Sequence, residues 1–262
     1  MPKFTIYPIR LGHSEIPASF VLKGGHTAGG SDDKIWFAHG FYAAKNNDTG
    51  EVTLLDTGSG HWKFCQENDL MEYKTNVEEG PDAVEALAKV GIKPEDIKQI
   101  AITHLHHDHA ANLWLFPKDI PIYVQREELF NAVAPYKAQQ WDYTFQDHPK
   151  LPYWKEHMTQ MVPVDGEYEI EPGLKLIPTP GHTFGSQSIM VDTEEGPYIY
   201  VGDLFYVEEN MTEGRIHTNY CGVDVWSKSR DKIVKMAEDE GVKVLWLHDM
   251  KFFDEPSYGA AK

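Results

Sequence analysis

Four side chains able to bind a metal crowd one short stretch. From Thr103 to Asn112 the chain reads Thr-His-Leu-His-His-Asp-His-Ala-Ala-Asn, which puts His104, His106, Asp108 and His109 directly after the apolar run Ile100-Ala101-Ile102. Imidazole nitrogens and carboxylate oxygens are ligands for divalent cations. If the apolar run is a strand end, His104 and His106, two apart, share one face and reach one cation. Asp108 and His109 then fall on the following turn and reach a second cation beside the first. The competing reading is a run of solvated histidines, against which the density of ligands in so short a span argues.

Such a motif needs firm elements to hold it. Short β-like runs fall at Phe4 to Ile9, Ser19 to Leu22, Val52 to Leu55, Ile100 to Thr103, Ile122 to Val124, Leu174 to Ile177, Ser188 to Val191, Tyr198 to Val201 and Val244 to Leu247. Pro81 at a first-turn position, apolar Ala83, Val84, Leu87, Ala88 and Val90 on one face, and Gly91 as terminator predict a helix over Pro81 to Val90. A second helix is expected from Ser227 to Asp239. Strands mixed with helices at this spacing indicate an α/β layered protein, read as a single domain over 1–262. Val52 to Gly58 and Tyr198 to Asp203 echo one another, each an apolar run ending at an aspartate in a glycine-bearing turn. Two similar halves facing each other across the site would explain that echo. An aromatic-rich insertion at about 127–161 carries Phe130, Tyr136, Trp141, Tyr143, Phe145, Tyr153 and Trp154, with Pro135, Pro149 and Pro152. It is either a pocket cover or a satellite packing cluster.

The 262 residues carry a formal net charge of −17, which argues against a nucleic-acid partner, because phosphate-binding surfaces need clustered Lys and Arg. Met1-Pro2-Lys3-Phe4-Thr5-Ile6 lacks the basic segment and apolar run of a signal peptide, and no stretch approaches the ~20 apolar residues of a membrane span. The expectation is a cytoplasmic protein without a membrane partner. The two cysteines, Cys65 and Cys221, are too few and too scattered for a disulfide framework or a thiolate metal site.

One short motif cannot hold two metals, so further ligands are expected at distant strand ends. His182 follows Leu176-Ile177-Pro178-Thr179-Pro180-Gly181, Asp203 ends Tyr198 to Gly202, and His248 ends Val244 to Leu247. With the first cluster they supply five His and two Asp. This set resembles the metallo-β-lactamase superfamily, with its pattern of His-x-His-x-Asp-His followed by a His, an Asp and a His. The resemblance runs from about Val52 to Asp249 and includes the contexts Asp56-Thr57-Gly58, Pro180-Gly181-His182 and Gly202-Asp203. It implies an αββα sandwich with a dinuclear metal site at the sandwich edge. By position, His104, His106 and His182 would bind one metal, Asp108, His109 and His248 the other, and Asp203 would bridge both. Asp56 matches the position that orients ligands from behind. Zinc is the default for such ligands, and iron, manganese or cobalt suit them too.

Tyr206, three residues after the bridging aspartate, resembles the N-acyl-homoserine lactonase branch, where that hydroxyl assists at the substrate carbonyl. Pro121 to Glu128 and His248-Asp249 resemble the same branch. Pyridoxolactonases share much of the pattern, so a lactone is implied but not which one. Two departures stand out: His107 where these lactonases often carry Phe, and Ala110-Ala111 in place of Ala-Gly or Gly-Gly. A packed structural role for Tyr206, and a surface role for His107, are the plain alternatives. The resemblance implies a hydroxide between two cations as nucleophile, its pKa lowered to roughly 7, Tyr206 stabilising the oxyanion, and Asp108 passing a proton to the departing alkoxide. No Gly-x-Ser-x-Gly elbow is present. The nearest rival is a glyoxalase II-like thioesterase, but little after His248 offers the basic residues that glutathione carboxylates need. A β-lactamase, a diiron flavoprotein and a metal-holding module without turnover fit less well. The oligomeric state is left open, a homodimer included.

Overall fold

The structure is a computed structural model describing residues 3–22, 34–60, 80–143, 152–217 and 219–260. A long strand β1 (Phe4–Pro17) pairs antiparallel with β2 (Lys34–Asn46), with a register shift between Arg10 and Gly12. Beyond β2 come antiparallel β3 (Val52–Leu55) and then β4 (Ile97–Ala101), β5 (Ile122–Gln125) and β6 (Met161–Val164), each parallel to its predecessor. The second half holds β7 (Tyr168–Glu171), β8 (Leu174–Pro178), β9 (Gln187–Thr193), β10 (Gly196–Tyr200) and β11 (Lys243–Leu245). The halves join where Phe4 pairs with Thr193. The helices are α1 (Ala18–Val21), α2 (Ala83–Lys89), α3 (His107–Ala110), α4 (Arg126–Val133), α5 (Glu208–Thr212) and α6 (Val223–Glu240).

The period of two along each strand sorts side chains into layers. Leu54 and Ile100 pack outward with Ala83, Ala86 and Leu87 of α2. Their neighbours Leu55 and Ala101 point inward and meet Leu176, Ile189, Tyr200 and Leu245 of the other half. On the far side, Ile199, Val201 and Val244 pack against Trp226 and Ile233 of α6. Helix, sheet, sheet and helix thus stack as the expected αββα sandwich. No described helix is long and apolar enough to cross a membrane.

Several local expectations change. Ser19 to Leu22 is not a strand but the end of the single turn α1, with Leu22 N–H donating to Ala18 O at 2.9 Å. Four apolar residues are too few for periodicity to separate the two states. β4 ends at Ala101, so His104 and His106 lie on an extended loop past the strand rather than on its pleat. β2 carries no strand signal because its second half is buried on both faces and built around Gly40 and paired alanines, residues of low strand propensity. β6 contains Pro163, tolerated because this strand lies at the end of the pairing order.

The first expected helix shortens to α2. Asp82 is its N-cap, accepting from Glu85 N–H at 2.8 Å while the Glu85 carboxylate accepts from Asp82 N–H at 3.3 Å, and Pro81 precedes the cap. Gly91, at φ +75°, ends it as expected. The second helix extends to the 18 residues of α6, closed by Gly241 at φ +70°. Cys65, Phe145 and Pro149 lie outside the described residues. Asp82→Ala should cost about 1 kcal/mol of stability by loss of the cap, measured as a lower urea midpoint at unchanged slope.

Candidate metal centre

The chain ends of β3, β4, β8, β10 and β11 converge at one edge of the sandwich, and the ligand candidates sit in the turns just beyond them. The donor atoms of His104, His106 and His182 lie within 4.8 Å of one another, and so do those of Asp108, His109, Asp203 and His248. Asp203 lies between the groups with its two oxygens divided. Its Oδ2 is 3.3 Å from His182 Nε2 and 3.8 Å from His104 Nε2, while its Oδ1 is 3.0 Å from both His109 Nε2 and His248 Nε2. Asp108, on α3, places one oxygen 3.8 Å from His109 Nε2 and the other 3.8 Å from His248 Nε2.

The tautomers follow from what stands behind each ring. His109 Nδ1 faces Asp56 Oδ2 at 2.8 Å, and a carboxylate can only accept, so Nδ1 carries the proton. His248 Nδ1 likewise donates to Ala38 O at 2.8 Å. The Thr103 hydroxyl donates its own proton to Asp56 Oδ2, so His104 Nδ1, 3.1 Å away, donates to Thr103 Oγ1. Each neutral ring then aims an Nε2 lone pair at the centre, two of them 3.0 Å from a carboxylate oxygen. Such an arrangement is repulsive unless a cation or proton lies between. Nε2 of His104, His106 and His109 are buried without a hydrogen-bond partner, a cost of about 1–3 kcal/mol for each if nothing else satisfies it. The donor set therefore fits divalent cations.

The electrostatics agree. Burial, with the neighbouring imidazoles, holds His104 and His106 well below the ordinary histidine range, keeping them neutral. Burial opposes charge on His109, but Asp203, Asp108 and Asp56 outweigh it and raise that pKa well above the usual value, so a positive charge beside its Nε2, proton or cation, is favoured there. Asp203 is held ionised despite burial by His109, His248 and His182.

Asp56 does the work of a keystone. It sits at φ +66°, a left-handed backbone rare for a residue with a side chain. Its Oδ1 accepts from Thr103 N–H at 2.6 Å, and its Oδ2 accepts from Thr103 Oγ1, His109 Nδ1 and, at 2.6 Å, Tyr200 OH. The two echoing segments of the sequence meet in that last bond. Gly202 stands beside it at φ +50°, where an added Cβ would come within 2.9 Å of Thr103.

Glu128, not singled out from sequence, is fully buried on α4 and ties two ligand loops together. It accepts from Leu105 N–H at 2.9 Å, between His104 and His106, and from Thr183 Oγ1 at 2.7 Å, next to His182. It also accepts from Tyr143 OH at 2.8 Å, whose ring packs edge-on against His106 at 4.6 Å. The only sequence signal was its place within Pro121 to Glu128.

The insertion is split between both expectations. Tyr143 and Trp154 join the core, whereas Phe130 and Tyr136 remain largely exposed. Asp142 borders the site: its carbonyl accepts from His107 N–H at 2.9 Å, and its carboxylate accepts from Tyr220 OH. Tyr206 is buried between the groups, its ring 5.8 Å from that of His182 and 5.1 Å from that of His248. Burial, then Asp203 and Asp108, raises its pKa well above the ordinary value, so its hydroxyl stays protonated. Cys221 is a free thiol.

Residues 42–251 match the metallo-beta-lactamase superfamily, and the chain belongs to that family. It is 38% identical over 129 residues to an N-acyl homoserine lactonase of a Bacillus species, covering 49% of this chain and 46% of that protein. To an N-acyl homoserine lactonase of Bacillus thuringiensis it is 34% identical over 171 residues, covering 64% and 62%. The chain thus spans about half the length of the first curated relatives it matches. A solved N-acyl homoserine lactone hydrolase with N-hexanoyl-L-homoserine at its catalytic metal centre superposes with a TM-score of 0.76. It is 23% identical and is matched over 96% of this chain and 95% of its own, which shows the shared fold.

His39 supplies a pH test. Its Nε2 lies 2.9 Å from Ser14 Oγ and its Nδ1 3.2 Å from Ser59 Oγ, and burial, then His248, lowers its pKa to about 3. Unfolding returns it to 6.5, so between pH 6.5 and about 3 the unfolded chain binds the extra proton and stability is lost as the pH is lowered. His39→Gln, with an amide that both donates and accepts, should flatten that acid limb in denaturation midpoints measured against pH. An unchanged slope would contradict the assignment.

Proposed function

We propose that this protein is a metal-dependent lactone hydrolase, with N-acyl homoserine lactones as its foremost substrates and quorum quenching as the consequence. The observation that carries the reading is the Asp203 carboxylate divided between two histidine groups with the Tyr206 ring lying between them. The relatives named as N-acyl homoserine lactonases support it. In this reading His104, His106 and His182 hold one cation, Asp108, His109 and His248 the other, and Asp203 both. Two zinc ions are the first choice for this nitrogen and oxygen donor set. When bound, the pair supplies Lewis-acid polarisation of the substrate carbonyl and a water acidic enough to attack at neutral pH.

The chain's own residues do the rest. Asp56, Ala38 and Thr103 fix the histidine tautomers, so the lone pairs are in place before substrate arrives. The protonated Tyr206 hydroxyl donates to the carbonyl oxygen as negative charge develops there. Asp108, whose side chain is the most accessible of the second group at 16% exposure, carries a proton to the departing ring oxygen. Lactone opening keeps both products in one molecule, and no acyl-enzyme forms. The substrate is a small molecule; nucleic acid and membrane play no part, the setting is cytoplasmic, and a homodimer is compatible with it.

One observation favours a second reading. His107, Asp142 and Tyr220 form a polar, half-buried border beside His106 and His182. Such a wall suits a lactone with a polar or aromatic ring, like pyridoxolactone, better than a long acyl chain. Proton release in weak buffer decides, using metal-analysed protein with acyl-homoserine lactones, an aromatic lactone and a glutathione thioester. Acid release from the acyl series supports the main reading; the aromatic lactone alone moves the biology to catabolism; the thioester alone makes it glyoxalase II-like.

Tyr206→Phe should lower kcat about 100- to 1,000-fold with metal content intact, as expected for loss of one oxyanion donor. Unchanged turnover removes Tyr206 from the mechanism. Chelation should abolish turnover and lower the melting temperature, with recovery on adding zinc.

A further inference from the structure

His217 lies on the loop between α5 and α6, outside the ligand groups and outside every sequence motif. It is 5% exposed, and its Nε2–H donates to Leu204 O at 2.9 Å. Leu204 follows Asp203 directly, and its carbonyl also accepts from Trp226 Nε1–H at 2.9 Å. The turn that presents Asp203 is therefore held by two buried rings. The His217 ring also stacks on Tyr206, with centroids 4.1 Å apart and planes 29° apart. Among the described residues the other rings beside Tyr206 lie farther off: His248 edge-on at 5.1 Å, Phe37 edge-on at 5.5 Å, His182 edge-on at 5.8 Å and Phe20 parallel at 5.9 Å. The backbone of Tyr206 is fixed separately, by Asn210 Oδ1 accepting from Tyr206 N–H at 2.8 Å and Val207 N–H at 3.0 Å. A tyrosine with a fixed backbone still has two side-chain torsions, and a neighbouring ring face restricts them.

We infer that His217 is the positioning residue for Tyr206: anchored through Nε2 to the Asp203 turn, its ring face sets the plane and reach of the tyrosine hydroxyl. One side chain thus ties the oxyanion donor to the backbone that carries the bridging carboxylate, fixing their separation. This rests on the lactone hydrolase reading, because only there is the placement of the hydroxyl a rate term.

Two variants divide the two contacts. His217→Gln keeps a donor for Leu204 O but removes the ring; His217→Phe keeps the ring but removes the donor. In metal-loaded protein, H217Q should lower kcat on the best lactone about tenfold with KM changed less than about twofold, and H217F should stay closer to the parent. In a Tyr206→Phe background, H217Q should cost less than about twofold, because its effect runs through the missing hydroxyl. Equal losses in both backgrounds, or a loss confined to KM or metal content, would overturn the inference. A readout independent of turnover uses protein labelled with 3-fluorotyrosine, in which the Tyr206 fluorine signal is assigned by its absence in Y206F. That signal should shift and broaden in H217Q, and an unchanged signal overturns the proposal. If the parent opens no lactone, the functional reading fails by itself while the fluorine signal still decides whether His217 holds Tyr206.

Discussion

The Asp56 carboxylate is the interaction on which the rest of the structure depends. It is buried, and both halves of the sandwich donate to it: Thr103 N–H, Thr103 Oγ1 and His109 Nδ1 from the first, Tyr200 OH from the second. A buried carboxylate is tolerable only when its lone pairs are filled, and here four donors fill them. The left-handed backbone of Asp56 is strain held in place by those bonds. Because one of them orients His109, the joint that closes the sandwich also aims a candidate metal ligand. Fold and site share an atom.

Around that joint the charges are arranged for a cation. Asp203, Asp108 and Asp56 surround His109 closely enough to raise its pKa although burial opposes this, while His104 and His106 are kept neutral. Proton and metal compete for the same place. A cluster of this kind costs folding free energy when its lone pairs face one another with nothing between them, so cation binding and stability are linked.

A second set of contacts keeps the ligand loops in register. Glu128 joins the loop of His104 and His106 to the turn of His182, and Tyr143 closes over both from the insertion. Gly185 permits this, since an added Cβ would come within 2.0 Å of the Glu128 backbone. Asp142, one residue from Tyr143, meets His107 and Tyr220 at the border of the site. The insertion thus supplies both core packing and part of a polar border beside the site.

The sequence by itself determined the candidate ligands, their order and the strand ends that carry them, because a metal site needs chemically rare residues and strands need apolar runs. Histidines at 104, 106 and 109 with Asp108 are legible for that reason, and so are the layers implied by Leu54 and Leu55 facing opposite ways. Less was legible where the signal depends on what lies across the fold. Strand β2 owes its form to burial on both faces, and Ser19 to Leu22 turns into a helix end because four residues cannot set a period. The tautomers of His109 and His248, the division of Asp203 between two groups, the bond from Tyr200 to Asp56, and the roles open to Glu128 and His217 were decided only by tertiary structure. Each depends on atoms separated by tens to hundreds of residues, and a hydrogen bond acts only across about 3 Å.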